Sequence, residues 1–417
     1  MSNPQNFVVI GIETRQDKGV VEPIDTLYFF ESKPGFHSSD SGNVPKKKLE
    51  IGDSEKEYFT PHAIQCAGNE LYILSRKNLW GGGSREIKLK KTIEEILGKL
   101  NLDDNRRNKL NEHKLLRGSL EKTAAGLYLA VYGAGENRYE EESTGEKRNV
   151  LLPGILLQSE NGNFNDLTIV EGVHPTGRII PRRSNGSVDG VIVPCGKTLH
   201  QHPDDYHRKP RMNGPITAAV HRDGMTISTD EEEGILLLDG ERERARYQKN
   251  DDFHYFSAEQ FSQRGRGNYL PSEASSVALV NHKEDKYALV GADDGKLLVY
   301  RLAVVANEPG LQYLKTLRFL SLEDCLFKDP SRDYHVRQVV EMIPGLIGLT
   351  IHNLWLGLTI EQVLRDTSDI RINFNPAREG TTNLEKLTSK NRLEQACVLP
   401  HRITSWAYHT ERGKEEP

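Results

Sequence analysis

The sequence predicts an all-β fold, a β-propeller of about seven blades with a small helical insertion. Three observations carry this. First, a strand–turn–strand unit recurs down the chain. Its clearest copy is Lys286–Arg301, where two β-rich apolar runs flank Asp293-Asp294-Gly295. An Asp-Gly between two such runs is a strong short-range hairpin signal. Second, the units starting at Leu71, Leu127, Gly177, Met225, Lys286 and Leu346 are separated by 56, 50, 48, 61 and 60 residues. Antiparallel units at this spacing point to a radial array of small sheets. Third, apolar strands remain at both chain ends and can pair to close a ring.

The elements follow in order. Phe7–Glu13 and Ile24–Glu31 read as strands, and Ser32–Lys48 as a polar loop. Phe59–Cys66 and Glu70–Trp80 resume strand character. The period then changes over 91–116. Ile93, Ile96, Leu97 and Leu100 form one apolar helical stripe, and Thr92 with Glu95 makes a capping box. A second helix starts at Asp103 or Asp104 and carries Leu110. This reads as a helical hairpin inserted between blades, either a packed lid or a partner-binding knob.

Gly126–Glu140 is the next hairpin, and Gly177–Val193 a weaker one inside the irregular, proline-rich stretch Gly172–Arg211. Ile216–Asp239, Ser276–Leu302 and Val336–Leu358 each read as strand–turn–strand–turn–strand. Turns fall at Arg222-Asp223-Gly224, Pro344-Gly345 and His352-Asn353. Thr359 and Gln362 cap a short helix over Thr359–Arg365, and Ile403–His409 is the last strand. Six hairpins are visible, and the terminal strands complete one more blade, with six or eight blades as alternatives. Residues 1–417 form one propeller domain, with 410–417 a polar tail. Two β-sandwiches are the competing architecture for strands this short.

The three consecutive three-strand copies resemble WD-repeat blades over roughly 216–358, and GADDGKLLVYRL looks like the inner half of one. The Gly-His and Trp-Asp dipeptides of that family are absent. The resemblance is therefore one of architecture. It implies a binding platform.

The chain has 417 residues, 36 of them glycine, a charged fraction of 28% and a net charge of −5. Such a length exceeds one ordinary core, but propeller blades pack only on their neighbours. Four cysteines, Cys66, Cys195, Cys325 and Cys397, lie far apart with no C-x-x-C pair, which suits a reducing compartment. With no cationic leader and no stretch near 18 apolar residues, the expectation is a cytoplasmic protein with no membrane span.

Chemistry-bearing clusters are few. Cys195, His200, His202 and His207 lie in CGKTLHQHPDDYH and could hold zinc or a similar divalent ion. The alternative is a polar, solvated loop. Arginines recur as Arg178/Arg182/Arg183, Arg208/Arg211 with Lys209, Arg242/Arg244/Arg246 and Arg264/Arg266. Of these, Arg182, Arg183, Arg208, Arg211, Arg264 and Arg266 are the candidate nucleic-acid contacts, phosphates being held by guanidinium groups and bases by stacking. No G-x-S-x-G, phosphate-loop or H-E-x-x-H motif occurs, so no catalytic and no cofactor residue is assigned. A site assembled from distant loops stays open.

The leading functional reading is a non-enzymatic scaffold that binds a protein partner, as a monomer or as an adaptor or accessory subunit of a hetero-complex. The alternatives are a propeller enzyme or metal protein using residues 195–207, and a nucleic-acid-associated accessory protein of a CRISPR-type defence system.

Overall fold

The computed structural model describes residues 5–12, 26–32, 47–50, 63–67, 70–75, 78–83, 86–100, 102, 116–133, 138–141, 147–150, 154–184, 187–203, 216–230, 234–239, 242–249, 269–270, 274–292, 295–305, 308–320, 336–352, 354–371, 395–398 and 403–411. The fold is a β-propeller.

Six blades follow one another along the chain, antiparallel except where Tyr269–Leu270 and Asp369–Arg371 add short parallel outer strands to the fourth and fifth. Their innermost strands are Ala63–Ala67, Leu116–Thr123, Ile180–Ser184, Ile216–Arg222, Ala274–His282 and Val336–Ile343. A further four-stranded sheet joins the two chain ends. In it Gln5–Ile12 pairs with Thr26–Ser32 on one side and Ile403–Glu411 on the other. Counted without this terminal sheet, the propeller has six blades rather than the expected seven or so. The terminal strands supply the sheet that closes the circle. The closing strand runs to Glu411, into the stretch read as a polar tail.

The sequence pattern explains the packing. Strands in the middle of a blade are covered on both faces by neighbouring blades, so they read as continuous apolar runs. Leu346–Ile351 is buried at all six positions, and Leu354–Leu358 at all five. Successive side chains then divide between two interfaces. Val8 and Ile10 face the sixth blade, packing with Trp355, Ile403 and Trp406. Val9 between them faces the first blade, with Leu27, Ile64, Leu71 and Ile73. Five more apolar clusters fill the remaining junctions between adjacent blades. The core is thus a circle of inter-blade layers, not the two stacked cores of a pair of sandwiches.

The turns explain themselves locally. At Arg222-Asp223-Gly224-Met225 the two central residues have φ of 49° and 80°, the left-handed pair that a tight two-residue hairpin demands. Asp and Gly tolerate it best. The hairpin expected at Gly126–Glu140 is drawn differently. Gly126–Gly133 pairs with Leu116–Thr123 and Ile155–Ser159, while Arg138–Glu141 pairs with Lys147–Val150 as a separate two-stranded ribbon. The strands Arg138–Glu141 and Lys147–Val150 are therefore an excursion within the second blade.

Both capping boxes form. Thr92 accepts from the Glu95 N–H, and the Glu95 carboxylate accepts from the Thr92 N–H, starting the helix Ile93–Gly98. Thr359 and Gln362 do the same for Ile360–Leu364. Ile93, Ile96, Leu100 and Leu102 pack with Leu74, Leu79, Leu120 and Leu129 of the first two blades. The apolar stripe therefore seals a junction. The proposed second helix around Leu110 lies outside the described residues.

A charged channel tied together strand by strand

The seven innermost strands, counting Ile403–Glu411, surround an axial channel with a cavity volume of about 410 Å³. Its wall combines polar and apolar groups, among them Gln65, Cys66, Glu121, Arg178, Arg183 and Arg337. An innermost strand is a sheet edge, and the N–H and C=O groups along an edge need other partners.

The chain supplies them largely with one sequence device. In four innermost strands the third residue is a Gln or a Ser, namely Gln65, Ser276, Gln338 and Ser405. Each reaches the next strand around the circle. Ser405 Oγ accepts from the Ile64 N–H at 2.9 Å. Gln65 Oε1 accepts from the Leu120 N–H. The Ser276 hydroxyl donates to the Val336 carbonyl. Gln338 Nε2 donates to the Trp406 carbonyl at 3.3 Å.

The other junctions use different groups. The Ala124 N–H donates to the Val188 carbonyl at 2.8 Å, and the Asp223 N–H to the Arg183 carbonyl at 3.1 Å. Arg222 donates to the Leu279 carbonyl at 3.1 Å, and the same Nη1 reaches Glu341 one blade further on. Glu341 in turn accepts from the Gly345 N–H at 2.9 Å, so a charged tie spans three blades. Breaking one partner of such a partly buried pair leaves the other charge poorly solvated.

The densest electrostatic coupling lies between the first three blades. Glu121 accepts from Gln65 Nε2 at 2.7 Å. Burial raises its carboxyl to about 7, although Arg178, Arg183 and the Gln65 hydrogen bond all pull it down. Beside it, burial and then the Glu121 charge push the Cys66 thiol up to about 12. That thiol donates to the Tyr408 carbonyl at 3.2 Å. Cys66 is therefore a protonated bridge between strands and not a nucleophile at neutral pH. His221, on the fourth innermost strand, is lowered to about 4 by burial and then by Arg182. It is neutral at physiological pH and hydrogen-bonds Thr226 Oγ1 at 2.8 Å.

The predicted site residues fall apart into several places. Cys195 pairs with Thr198, and His200 with Val193, in the third blade. Cys195, His200 and His202 share one face of that strand pair by the two-residue period. This face packs on the second blade, where His202 meets Tyr128 edge-on and lies 3.2 Å from Gln158 Oε1. Residues 195–203 are thus strand and turn at a blade junction, not a solvated loop, and His207 lies outside the described residues. Among the described residues no three His, Cys, Asp or Glu side chains converge on a common point.

Arg182 is held by Asp189 at 2.9 Å, while Arg183 is exposed at the channel. Arg208, Arg211, Arg264 and Arg266 lie outside the described residues. Sequence reasoning missed Gln65, Glu121, Arg222 and Glu341. The recurrent polar third residue in otherwise apolar strands was the available signal.

No helix among the described residues is long and apolar enough to cross a membrane. No family model matches the chain, and no curated protein matches it. Solved structures are similar in outline. Apo AztD from Citrobacter koseri matches with a TM-score of 0.44 and 10% identity over 99% of both chains. BBS1N in complex with ARL6DN, soaked with mercury, gives 0.43 and 12% over 81% of both. The lead-soaked form of that complex gives 0.44 and 11%, over 81% of this chain and 82% of that one. None of these speaks for WD repeats in particular or for a defence system. A propeller fold is compatible with a scaffold role.

Proposed function

We infer that this chain is a non-enzymatic scaffold that presents one rim of its channel to a protein partner, as an adaptor or accessory subunit. The supporting observation is Ile343, a large apolar side chain 40% exposed at the end of an innermost strand. Its neighbour Met342 lines the channel, and Glu341 is clamped by Arg222 and Gly345. An apolar group on a rim held this rigidly is preorganised for contact, so little ordering entropy is lost on binding.

The test is affinity purification from the native host with stoichiometry read by mass spectrometry. Wild type should carry a near-equimolar partner. Ile343→Glu should lose at least tenfold of it without a change in Tm, since a central apolar contact commonly carries over 1 kcal/mol. Leu89→Glu, on an outer strand between Lys88 and Lys90, should retain it. Equal recovery with Ile343→Glu would remove this rim as the contact surface.

A metal-binding role for Cys195, His200, His202 and His207 is the second reading, resting on the ligand chemistry of a thiol and three imidazoles. Protein purified without a His-tag should then hold close to one equivalent of zinc, lost in His200→Ala/His202→Ala, and a chelator should lower Tm. Elemental analysis showing under a tenth of an equivalent would set this reading aside. The nucleic-acid role, including a CRISPR-type setting, rests on Arg182 and Arg183 together with Arg208, Arg211, Arg264 and Arg266.

A further inference from the structure

We propose that the channel holds an oxyanion-binding site, formed by Arg178 and Arg183, with Glu121 as the built-in carboxylate that competes with the ligand for them. The ligand chemistry is a carboxylate, sulfate or phosphate group on a small molecule. This goes beyond the scaffold reading and does not depend on it.

The geometry carries the proposal. Arg178 precedes the third innermost strand and Arg183 lies within it; both line the channel and are exposed. Glu121, on the neighbouring strand, lines the same cavity, within electrostatic reach of both. Guanidinium groups present planar donor pairs suited to oxyanions. A cavity of about 410 Å³ beside them has room for a small molecule. Arg337, further around the wall, adds positive potential.

Glu121 is placed to be the variable charge. Gln65 and Cys66 face it from the first blade, and Arg178 and Arg183 from the third. Its own strand adds Lys122, whose partner in the register is Leu127, while Glu121 itself lies opposite Tyr128. None of the other neighbours changes charge near neutrality. Cys66 stays protonated, His221 stays neutral, and Arg182 remains paired with Asp189. Glu121, with its carboxyl raised to about 7, is the group that titrates. Above that pH its negative charge occupies the two arginines. Below it, the carboxyl is neutral and the arginines face the channel unopposed. If only the protonated form is competent, its population falls about tenfold from pH 6 to pH 8, and apparent affinity falls with it. By linkage, binding must draw protons from solution.

The test is isothermal titration of the full chain with sulfate and with oxalate, probes whose charge is constant from pH 6 to pH 8. Ionic strength is held with chloride. Expected are binding of at least one probe about tenfold tighter at pH 6 than at pH 8, and proton uptake when buffers of different ionisation enthalpy are compared. Glu121→Gln should bind at both pH values with the pH dependence gone. Arg178→Gln/Arg183→Gln should not bind; both side chains are exposed, so folding is not at stake, and an unchanged Tm verifies it. Preference for sulfate marks a tetrahedral oxyanion such as phosphate as the natural group, and preference for oxalate a carboxylate. No binding of either probe at pH 6 overturns the proposal. So does binding that survives the double arginine substitution, or a pH dependence that persists in Glu121→Gln.

Discussion

Trp406→Ala should cost about 3–5 kcal/mol of stability, the range for deleting a fully buried aromatic side chain. Trp406 is 2% exposed and packs edge-on against Trp355, with centroids 5.8 Å apart at 78°. It sits where the last strand of the chain meets the sixth blade, so its loss loosens the junction between the terminal sheet and that blade. Gly348 shows how tightly this junction is packed. A Cβ there would lie 2.3 Å from the Trp406 ring, so Gly348→Ala should also destabilise, by roughly 1–3 kcal/mol of overpacking. Urea unfolding followed by tryptophan fluorescence reads both. A midpoint within error of wild type for Trp406→Ala would mean that the terminal sheet does not close the ring.

The second large effect is expected at the helix Ile93–Gly98. Ile96→Asp should lose about 4 kcal/mol, combining a deleted core side chain with a carboxylate placed in an apolar layer. Ile96 is 2% exposed between the first and second blades. Glu94, one turn position away and exposed, is the control: Glu94→Gln should stay within about 0.5 kcal/mol. The same measurement decides whether the helix is structural cover or a detachable knob. A loss under 1 kcal/mol for Ile96→Asp would favour the knob. The buried stripe is the reason to expect the opposite, because Ile93, Ile96, Leu100 and Leu102 supply apolar surface that the short blades lack at this junction.

Local chemistry determined much of what the sequence revealed. Apolar runs of five or six residues, cut by Asp-Gly, Pro-Gly or His-Asn, must become hairpins, because few other conformations satisfy both the period and the turn. Met225–Asp239, Leu346–Leu358 and Gly177–Val193 formed as read. Thr92 with Glu95, and Thr359 with Gln362, set helix starts for the same reason: their bonds close within four residues. The leftover strands at the two ends also told of the circle, since an unpaired apolar edge is untenable in water.

Tertiary structure alone decided the rest. Gly126–Gly133 could not be matched to Ile155–Ser159 from sequence, because a charged ribbon of its own, Arg138–Val150, stands between them. Cys195, His200 and His202 read as a polar loop, yet they lie on a strand pair against the second blade. Only the neighbouring blade distinguishes a solvated face from a packed one. The channel was the least legible of all. Gln65 meets Leu120, 55 positions away; Arg222 meets Glu341, 119 away; and Ser405 meets Ile64, 341 away. Each residue is unremarkable in its own strand. What gives it a role is the circular arrangement, which sets seven sheet edges around one axis and brings partners from the next blade to their unpaired groups.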